Sequence, residues 1–188
     1  MRVIAGTARS VQLKTPEGLE TRPTTDRIKE TLFNMLQQKL SGSVFLDLFS
    51  GSGAIGIEAL SRGADHSYFV ENNREALACI QFNLEHTKLK DKATVLSMEV
   101  IQALRELEHK GIKLDIIFMD PPYRNEYEKQ VLDFLENSTL IYEDTLILFE
   151  ASLDTDVEYI ENMNYKITKI KNYKTNKHIF VMPYKEQE

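Results

Sequence analysis

The chain has 188 residues, enough to bury about 70% of its unfolded surface around one hydrophobic core. A single cysteine excludes an internal disulfide, and no apolar run approaches the ~20 residues that span a membrane. The N-terminus lacks the apolar segment of a secretory signal, so we expect a cytoplasmic protein. The net charge of −6 argues against a uniformly basic, polyanion-binding surface.

The charge is unevenly distributed. Residues 1–39 carry a net +3 and residues 163–188 a net +4, whereas residues 40–162 carry −13. Basic ends on an acidic centre predict a local phosphate-facing surface. For the C-terminal lysines, protection of an edge strand against aggregation is an equally good interpretation.

The chain opens with a predicted extension over residues 1–40. Residues 2–5 are expected to pair with 11–14 in a short hairpin, and a helix is predicted from about 25 to 40, capped by Thr25 or Asp26. Its apolar stripe should contact the core, and consists of Ile28, Leu32, Met35 and Leu36. Residues 41–188 are predicted to form one compact unit.

That unit begins with an apolar strand near 44–49 that runs into a glycine-rich turn. Gly51, Gly53 and Gly56 have the G-x-G-x-x-G spacing, which allows a tight turn and the close approach of a ligand to the backbone. A second strand ends on Glu71, 20 residues after Gly51, where a carboxylate would accept hydrogen bonds from ribose hydroxyls. The pattern predicts a nucleoside cofactor.

The glycine spacing does not by itself distinguish a nicotinamide cofactor from S-adenosylmethionine (SAM), because both contain an adenosine ribose. Asp47, inside the first strand, needs a partner once buried. Backbone amides of the turn or the ammonium group of SAM could supply it equally well. No residues suited to hydride transfer follow, which favours SAM.

The strand near 114–119 delivers Asp120-Pro121-Pro122-Tyr123 into a loop. A planar base could stack on the Tyr123 ring, while the Asp120 carboxylate and the Pro121 carbonyl accept hydrogen bonds from its exocyclic amine. Taken alone, a proline-rich turn that merely ends a strand is as good an explanation. Beside a nucleoside-binding turn, the segment favours methylation of an amino group.

Strands alternate with helices along the whole unit, which predicts a parallel sheet with helices on both faces. Strands are predicted near 44–49, 67–71, 93–97, 114–119, 145–149, 165–171 and 177–183, and helices near 54–62, 73–87, 99–110, 126–136 and 154–162. Ligands of such sheets bind beyond the C-terminal ends of the strands. We therefore expect Asp47, Glu71 and Asp120 to lie close together.

The motifs Asp47-x-Phe49-Ser50-Gly51-Ser52-Gly53 and Asp120-Pro121-Pro122-Tyr123 resemble those of class I SAM-dependent methyltransferases. The stretch from Arg22 to Asn34, with Arg2-Val3-Ile4-Ala5-Gly6 before it, is similar to the RsmD-type 16S rRNA guanine-N2 methyltransferases. The resemblance covers nearly the whole chain. One departure is Arg9-Ser10-Val11, which stands where the family usually has an Arg-Gly-Arg-like turn. It leaves open whether this hairpin contacts RNA.

The resemblance implies a Rossmann-like α/β fold with a mostly parallel sheet, an antiparallel last strand and a small N-terminal extension. It implies SAM as cofactor and methyl transfer to the exocyclic N2 of a guanine in 16S rRNA, in an assembled or assembling small ribosomal subunit. A monomer is expected.

Site roles follow from the matched motifs. Cofactor contacts are assigned to Asp47, Phe49, Ser50, Gly51, Ser52, Gly53, Glu71, Asn72 and Glu99. Catalytic roles are assigned to Asp120, Pro121 and Tyr123, and substrate contacts to Pro122, Arg124, Arg22, Thr24 and Arg27. Glu99 could equally be a first-turn residue favoured by the helix dipole. Capping and surface pairing explain Arg22, Thr24 and Arg27 equally well.

Other functions fit parts of the pattern. An amino-methyltransferase acting on adenine N6 or a protein amide would use the same loop, and a nicotinamide-dependent oxidoreductase could use the same glycine turn. A non-catalytic RNA-binding domain is hard to reconcile with an intact Asp120-Pro121-Pro122-Tyr123. The four histidines have no ligand spacing to one another or to Cys79, so no metal is expected, and Cys79 is predicted to be a buried, inert thiol.

Overall fold

A computed structural model of the chain describes residues 1–16, 26–122 and 127–184. Within these residues seven strands form one sheet in the order β3-β2-β1-β4-β5-β7-β6. The strands are β1 Val44–Leu48, β2 His66–Glu71, β3 Ala93–Ser97, β4 Ile116–Met119, β5 Leu146–Ser152, β6 Tyr165–Asn172 and β7 Asn176–Pro183. Strand β7 is antiparallel to both of its neighbours, and the other pairs are parallel. The predicted sheet is confirmed.

Helices cover both faces of the sheet, as predicted. They are α1 Asp26–Leu40, α2 Ala54–Ser61, α3 Arg74–His86, α4 Val100–His109 and α5 Tyr127–Glu136. One core lies between the sheet and α1, α2 and α3, and also takes in Val3, Ala8 and Leu13 of the N-terminal extension. A second core lies between the sheet and α4 and α5. Cys79 is buried, as expected.

The prediction of a helix over 154–162 is wrong. Only Glu158–Asn162 form a short 3-10 helix. Upstream, the Ser152 hydroxyl donates to Asp154 at 2.6 Å, and the Asp156 carboxylate accepts from the Glu158 amide at 2.8 Å. Local bonds of this kind offer the backbone an alternative to helical pairing.

The predicted N-terminal hairpin is reduced to one antiparallel bridge between Arg2 and Gln12. At its turn Ser10 has a φ of 70°, a left-handed conformation that glycine adopts at lower cost. This is the segment in which the sequence departs from the Arg-Gly-Arg-like pattern. The turn is nevertheless closed, because the Ser10 amide donates to the Val3 carbonyl at 2.8 Å.

None of the helices in the described ranges is long and apolar enough to cross a bilayer. The same ranges contain no cluster of three or more His, Cys, Asp or Glu side chains arranged to hold a metal ion.

Candidate active site

Four carboxylates lie in a row across one face of the sheet, near the C-terminal ends of adjacent strands. Strand register aligns Asp47 with Phe69 and Phe118, and Phe118 with Leu148, and these three apolar residues share the core beneath α1, α2 and α3. Because side chains two residues apart on a strand share a face, the next position on that face is acidic in each neighbour. In strand order the row is Glu71, Asp47, Asp120 and Glu150, with Asp47 set back by two residues from the other three.

The glycine turn between β1 and α2 requires left-handed backbone at several positions. Gly51 and Gly53 have φ values of 53° and 79°, and Phe49, which is not a glycine, has 71°. A Cβ on Gly51 would meet nothing within 4 Å, so this part of the turn is open to a ligand. A Cβ on Gly56 would lie 2.4 Å from the Phe69 ring, so Gly56 lets α2 pack closely against β2.

Asp47 is fully buried and accepts a hydrogen bond from the Gly56 amide in the first turn of α2, at 3.0 Å. Of the two partners that the sequence left open, the structure contains the backbone amide. The pKa of Asp47 is raised to about 7, mainly by burial; the hydrogen bond from Gly56 acts against this rise, and the charges of Glu71 and Asp120 contribute to it. Asp47 therefore stabilises the glycine turn through its hydrogen bond to the start of α2.

Glu71 fixes the glycine turn by accepting hydrogen bonds from backbone amides. One carboxylate oxygen accepts from the Gly51 amide at 2.8 Å, and the other accepts from the amides of Asn72 and Asn73 at 2.9 Å each. The Asn72 side chain in turn donates to Glu99 at 2.6 Å. The ends of β1, β2 and β3 are thus connected through side chains that the sequence assigned to the cofactor.

These residues surround a cavity of about 140 Å³. Phe49, Glu71, Asn72 and Glu99, all predicted cofactor contacts, line it together with Pro122, and its remaining walls are Val70, Met98, Val100 and Tyr127. Tyr127 was missed by sequence reasoning. It packs against Phe49 with ring centroids 5.4 Å apart and forms an aromatic wall.

Ser50 and Ser52 do not line this cavity. The buried Ser50 hydroxyl donates to the Asp47 carbonyl at 2.7 Å, and the Ser52 carbonyl accepts from the Asn83 side chain at 2.9 Å. Asn83 also pairs with the backbone of Lys14, which attaches the extension to the turn. Both serines thus stabilise the turn's shape.

A larger cavity of about 770 Å³ lies on the other side of the segment that follows β4. Pro121 and Pro122 form one wall, and β5 and the loop after it form another. Residues lining it also include Glu128, Lys129, Glu150, Ala151, Ser152, Asp154, Thr155, Asp156 and Tyr159. Pro122 belongs to both cavities, so they meet at the end of this segment. Asp120 itself lines neither cavity and lies two residues before that meeting point.

Asp120 lies directly before these prolines and is largely buried. Burial and, to a smaller extent, the charge of Glu150 together raise its pKa to about 7. A carboxylate in this state can accept a hydrogen bond near neutral pH and can also take up a proton.

Several predicted site residues are not placed. Tyr123, Arg124, Arg22 and Thr24 lie outside the described residues. Arg27 is exposed in the first turn of α1 and lines neither cavity.

Comparison with known proteins identifies the family. The sequence profile described as conserved hypothetical protein 95 matches residues 1–182. The chain belongs to this family. It is 38% identical to YlbH of Bacillus subtilis over 87% of this chain and 88% of that protein. It is 35% identical to ribosomal RNA small subunit methyltransferase D of Escherichia coli over 82% and 76%, respectively.

A solved structure supports the same family assignment. The structure of yhhF from Escherichia coli, 31% identical, superposes with a TM-score of 0.81 over 99% of both chains. The family match runs from the extension through the glycine turn and Asp120 to the last strand. The Rossmann-like methyltransferase fold and the family resemblance predicted from the motifs are confirmed.

Proposed function

We propose that this protein transfers a methyl group from SAM to the exocyclic N2 of a guanine in small-subunit ribosomal RNA. The observation that carries the proposal is the meeting of two cavities at Pro122, two residues after Asp120, with one cavity suited to a nucleoside cofactor and one to a base. The ribosomal RNA small subunit methyltransferase D relative supports the substrate class.

The smaller cavity suits SAM by its donor and acceptor set. Glu71 supplies carboxylate oxygens at the ribose position, Glu99 and Asn72 offer polar atoms for an adenine, and the Phe49 and Tyr127 rings supply apolar walls. Bound SAM supplies an electrophilic methyl group and a positive charge. The row of carboxylates favours that charge electrostatically.

The protein's own contribution is orientation and proton acceptance. The Asp120 carboxylate and the Pro121 carbonyl each accept one N–H of the guanine amine, which turns the nitrogen lone pair toward the methyl group. Bound SAM would supply the methyl group for the new C–N bond, and Asp120 would receive the proton that the amine nitrogen releases. Tyr123 would stack on the base, a contact worth about 1–3 kcal/mol. No nucleophilic side chain is needed.

RNA phosphates are proposed to lie along the exposed edge strand β6. Lys166, Lys169 and Lys171 are all exposed on this strand. Register pairs Lys171 with His178 on β7, and His178 with Glu150 on β5, so Lys171 lies two strands from the larger cavity. Because the basic area is small, we propose that the substrate is rRNA already shaped within an assembling subunit.

The direct test is to incubate the protein with methyl-labelled SAM and small subunits that lack this modification, then digest the RNA to nucleosides. Label in N2-methylguanosine is expected. Label in N6-methyladenosine or in a protein amide would retain methyl transfer and overturn the guanine assignment. Protein that binds NAD and not SAM would overturn the cofactor.

Replacing Glu71 with alanine is expected to weaken SAM binding by about 10- to 100-fold, since a hydrogen bond to a charged group contributes about 1.5–3 kcal/mol. Three backbone amides also lose their acceptor. Isothermal titration calorimetry measures the change. Glu85→Ala is the control, because Glu85 is exposed on α3 and pairs only with surface residue Lys90 among its described contacts. Equal affinities in the two variants would contradict the role of Glu71.

A further inference from the structure

Glu150 is an acidic residue of the site to which the sequence assigned no role. Of the four carboxylates in the row, it is the one that lines the larger cavity. It sits beside Asp120, because β4 and β5 are paired in parallel with Met119 aligned to Phe149. Neighbouring strands lie about 4.8 Å apart, so the two carboxylates can reach adjacent donors on one ligand edge.

The Glu150 carboxylate is held in a fixed orientation from the side of β7. One oxygen accepts from the Asn176 amide at 2.5 Å, and the other lies 3.3 Å from the Nε2 atom of His178. The Tyr173 hydroxyl lies 3.2 Å from Nδ1 of the same imidazole. When that hydroxyl donates to Nδ1, Nε2–H donates to Glu150, so the imidazole is oriented from both sides.

Placing the Glu150 and Asp120 carboxylates next to each other costs free energy, which a ligand that donates hydrogen bonds to both would offset. Glu150 and Asp120 are like charges side by side, and the charge of Glu150 disfavours the ionised form of Asp120. Asn176 and His178 are buried, and each directs one side-chain nitrogen to Glu150. A carboxylate locked in place by its neighbours at a cavity wall is the arrangement that precise ligand recognition needs.

The edge of guanine matches this pair. Next to the N2 amine, guanine carries an N1–H donor, whereas adenine carries a bare acceptor nitrogen next to its amine. A base taken out of the RNA is read along this edge. When Asp120 accepts from the amine, a second carboxylate beside it can accept a hydrogen bond from N1–H of guanine. With adenine, the same carboxylate would face the lone pair of N1 and be repelled by it.

We propose that Glu150 accepts the N1–H of the target guanine and is the residue that selects guanine over bases lacking this donor. The inference rests on the proposed function and extends it to base selection. A site built to hydrogen-bond one group rejects analogues lacking it by up to about 10⁴–10⁵-fold.

The test uses small subunits reconstituted with ligated 16S rRNA that carries 2-aminopurine at the methylated position. This base keeps the N2 amine but presents a bare N1. Wild-type protein is expected to prefer guanine by at least about 10²-fold in single-turnover rate. In Glu150→Gln, the amide can donate to the bare N1, and the preference is expected to fall by about 10- to 100-fold.

Glu143→Gln is the matched control, because it makes the same change at an exposed carboxylate that lines neither cavity and should leave the preference unchanged. Wild-type melting temperature and SAM affinity in Glu150→Gln would establish that the variant is folded. An unchanged preference in that folded variant would overturn the role of Glu150 while leaving guanine methylation intact. Absence of N2-methylguanosine with wild-type protein and normal subunits would overturn both proposals.

Discussion

Replacing Asp120 with alanine is expected to lower turnover by about 10²–10⁴-fold, the range for loss of a positioned acid–base group. SAM affinity should stay close to that of the wild type, because Asp120 does not line the smaller cavity. The variant loses both the hydrogen bond that aims the amine and the acceptor for its proton. Single-turnover methylation with saturating SAM separates these effects from cofactor binding. Near wild-type turnover would show that Asp120 has no part in the reaction.

The pH dependence provides a second test of the same residue. Burial, with the nearby Glu150 charge, raises the pKa of Asp120 from 3.8 to about 7. Below that pKa the protonated carboxyl cannot take up the released proton, so wild-type turnover should fall as the pH drops through about 7. Asp120→Asn keeps an acceptor oxygen but cannot titrate, and its lower turnover should lose this dependence. A profile that persists unchanged in Asp120→Asn would assign the titration to another group.

The part of the site built from strand ends was predictable from the sequence. An apolar strand that closes on an acid is visible as a local pattern at Glu71 and Asp120, Asp47 lies inside such a strand, and parallel strands bring their C-terminal ends to one edge. The glycine spacing was informative because each glycine has a separate geometric reason, such as the contact of Gly56 with Phe69. Periodicity and edge placement therefore predicted the fold and the grouping of these carboxylates at one edge of the sheet.

Glu150 could not be assigned a role in this way, although it ends the same kind of apolar run. Its significance comes from Asn176 and His178, which reach it through the antiparallel register of β7 against β5. Nothing local in the sequence fixes that register. Tyr127 was missed for a similar reason, since its contact with Phe49 depends on where α5 begins. Contacts between side chains that are far apart in the chain are the feature of the site that a single sequence does not predict.

The N-terminal extension is attached to α2 by a buried ionic cluster centred on Glu58. The carboxylate, fully buried, accepts from the amides of Ile4 and Ala5 at 2.9 and 3.0 Å. It also pairs with Lys29 of α1 at 3.3 Å and with Arg62 at 2.8 Å. Burial lowers the pKa of Lys29, and the charge of Glu58 acts against that effect. One side chain thus connects the extension, α1 and the helix that follows the glycine turn.

Replacing Glu58 with alanine is expected to lower the free energy of unfolding by about 3–5 kcal/mol, because Lys29 becomes a buried cation without its carboxylate. For a domain of this size that corresponds to a fall in melting temperature of about 6–20 °C. Urea unfolding followed by circular dichroism measures it. The double variant Glu58→Leu/Lys29→Met should recover part of the loss, since it removes both charges and leaves apolar groups in the core. If it is no more stable than Glu58→Ala, the cost lies in the lost backbone bonds to Ile4 and Ala5, and attachment of the extension depends on those amides rather than on the ion pair.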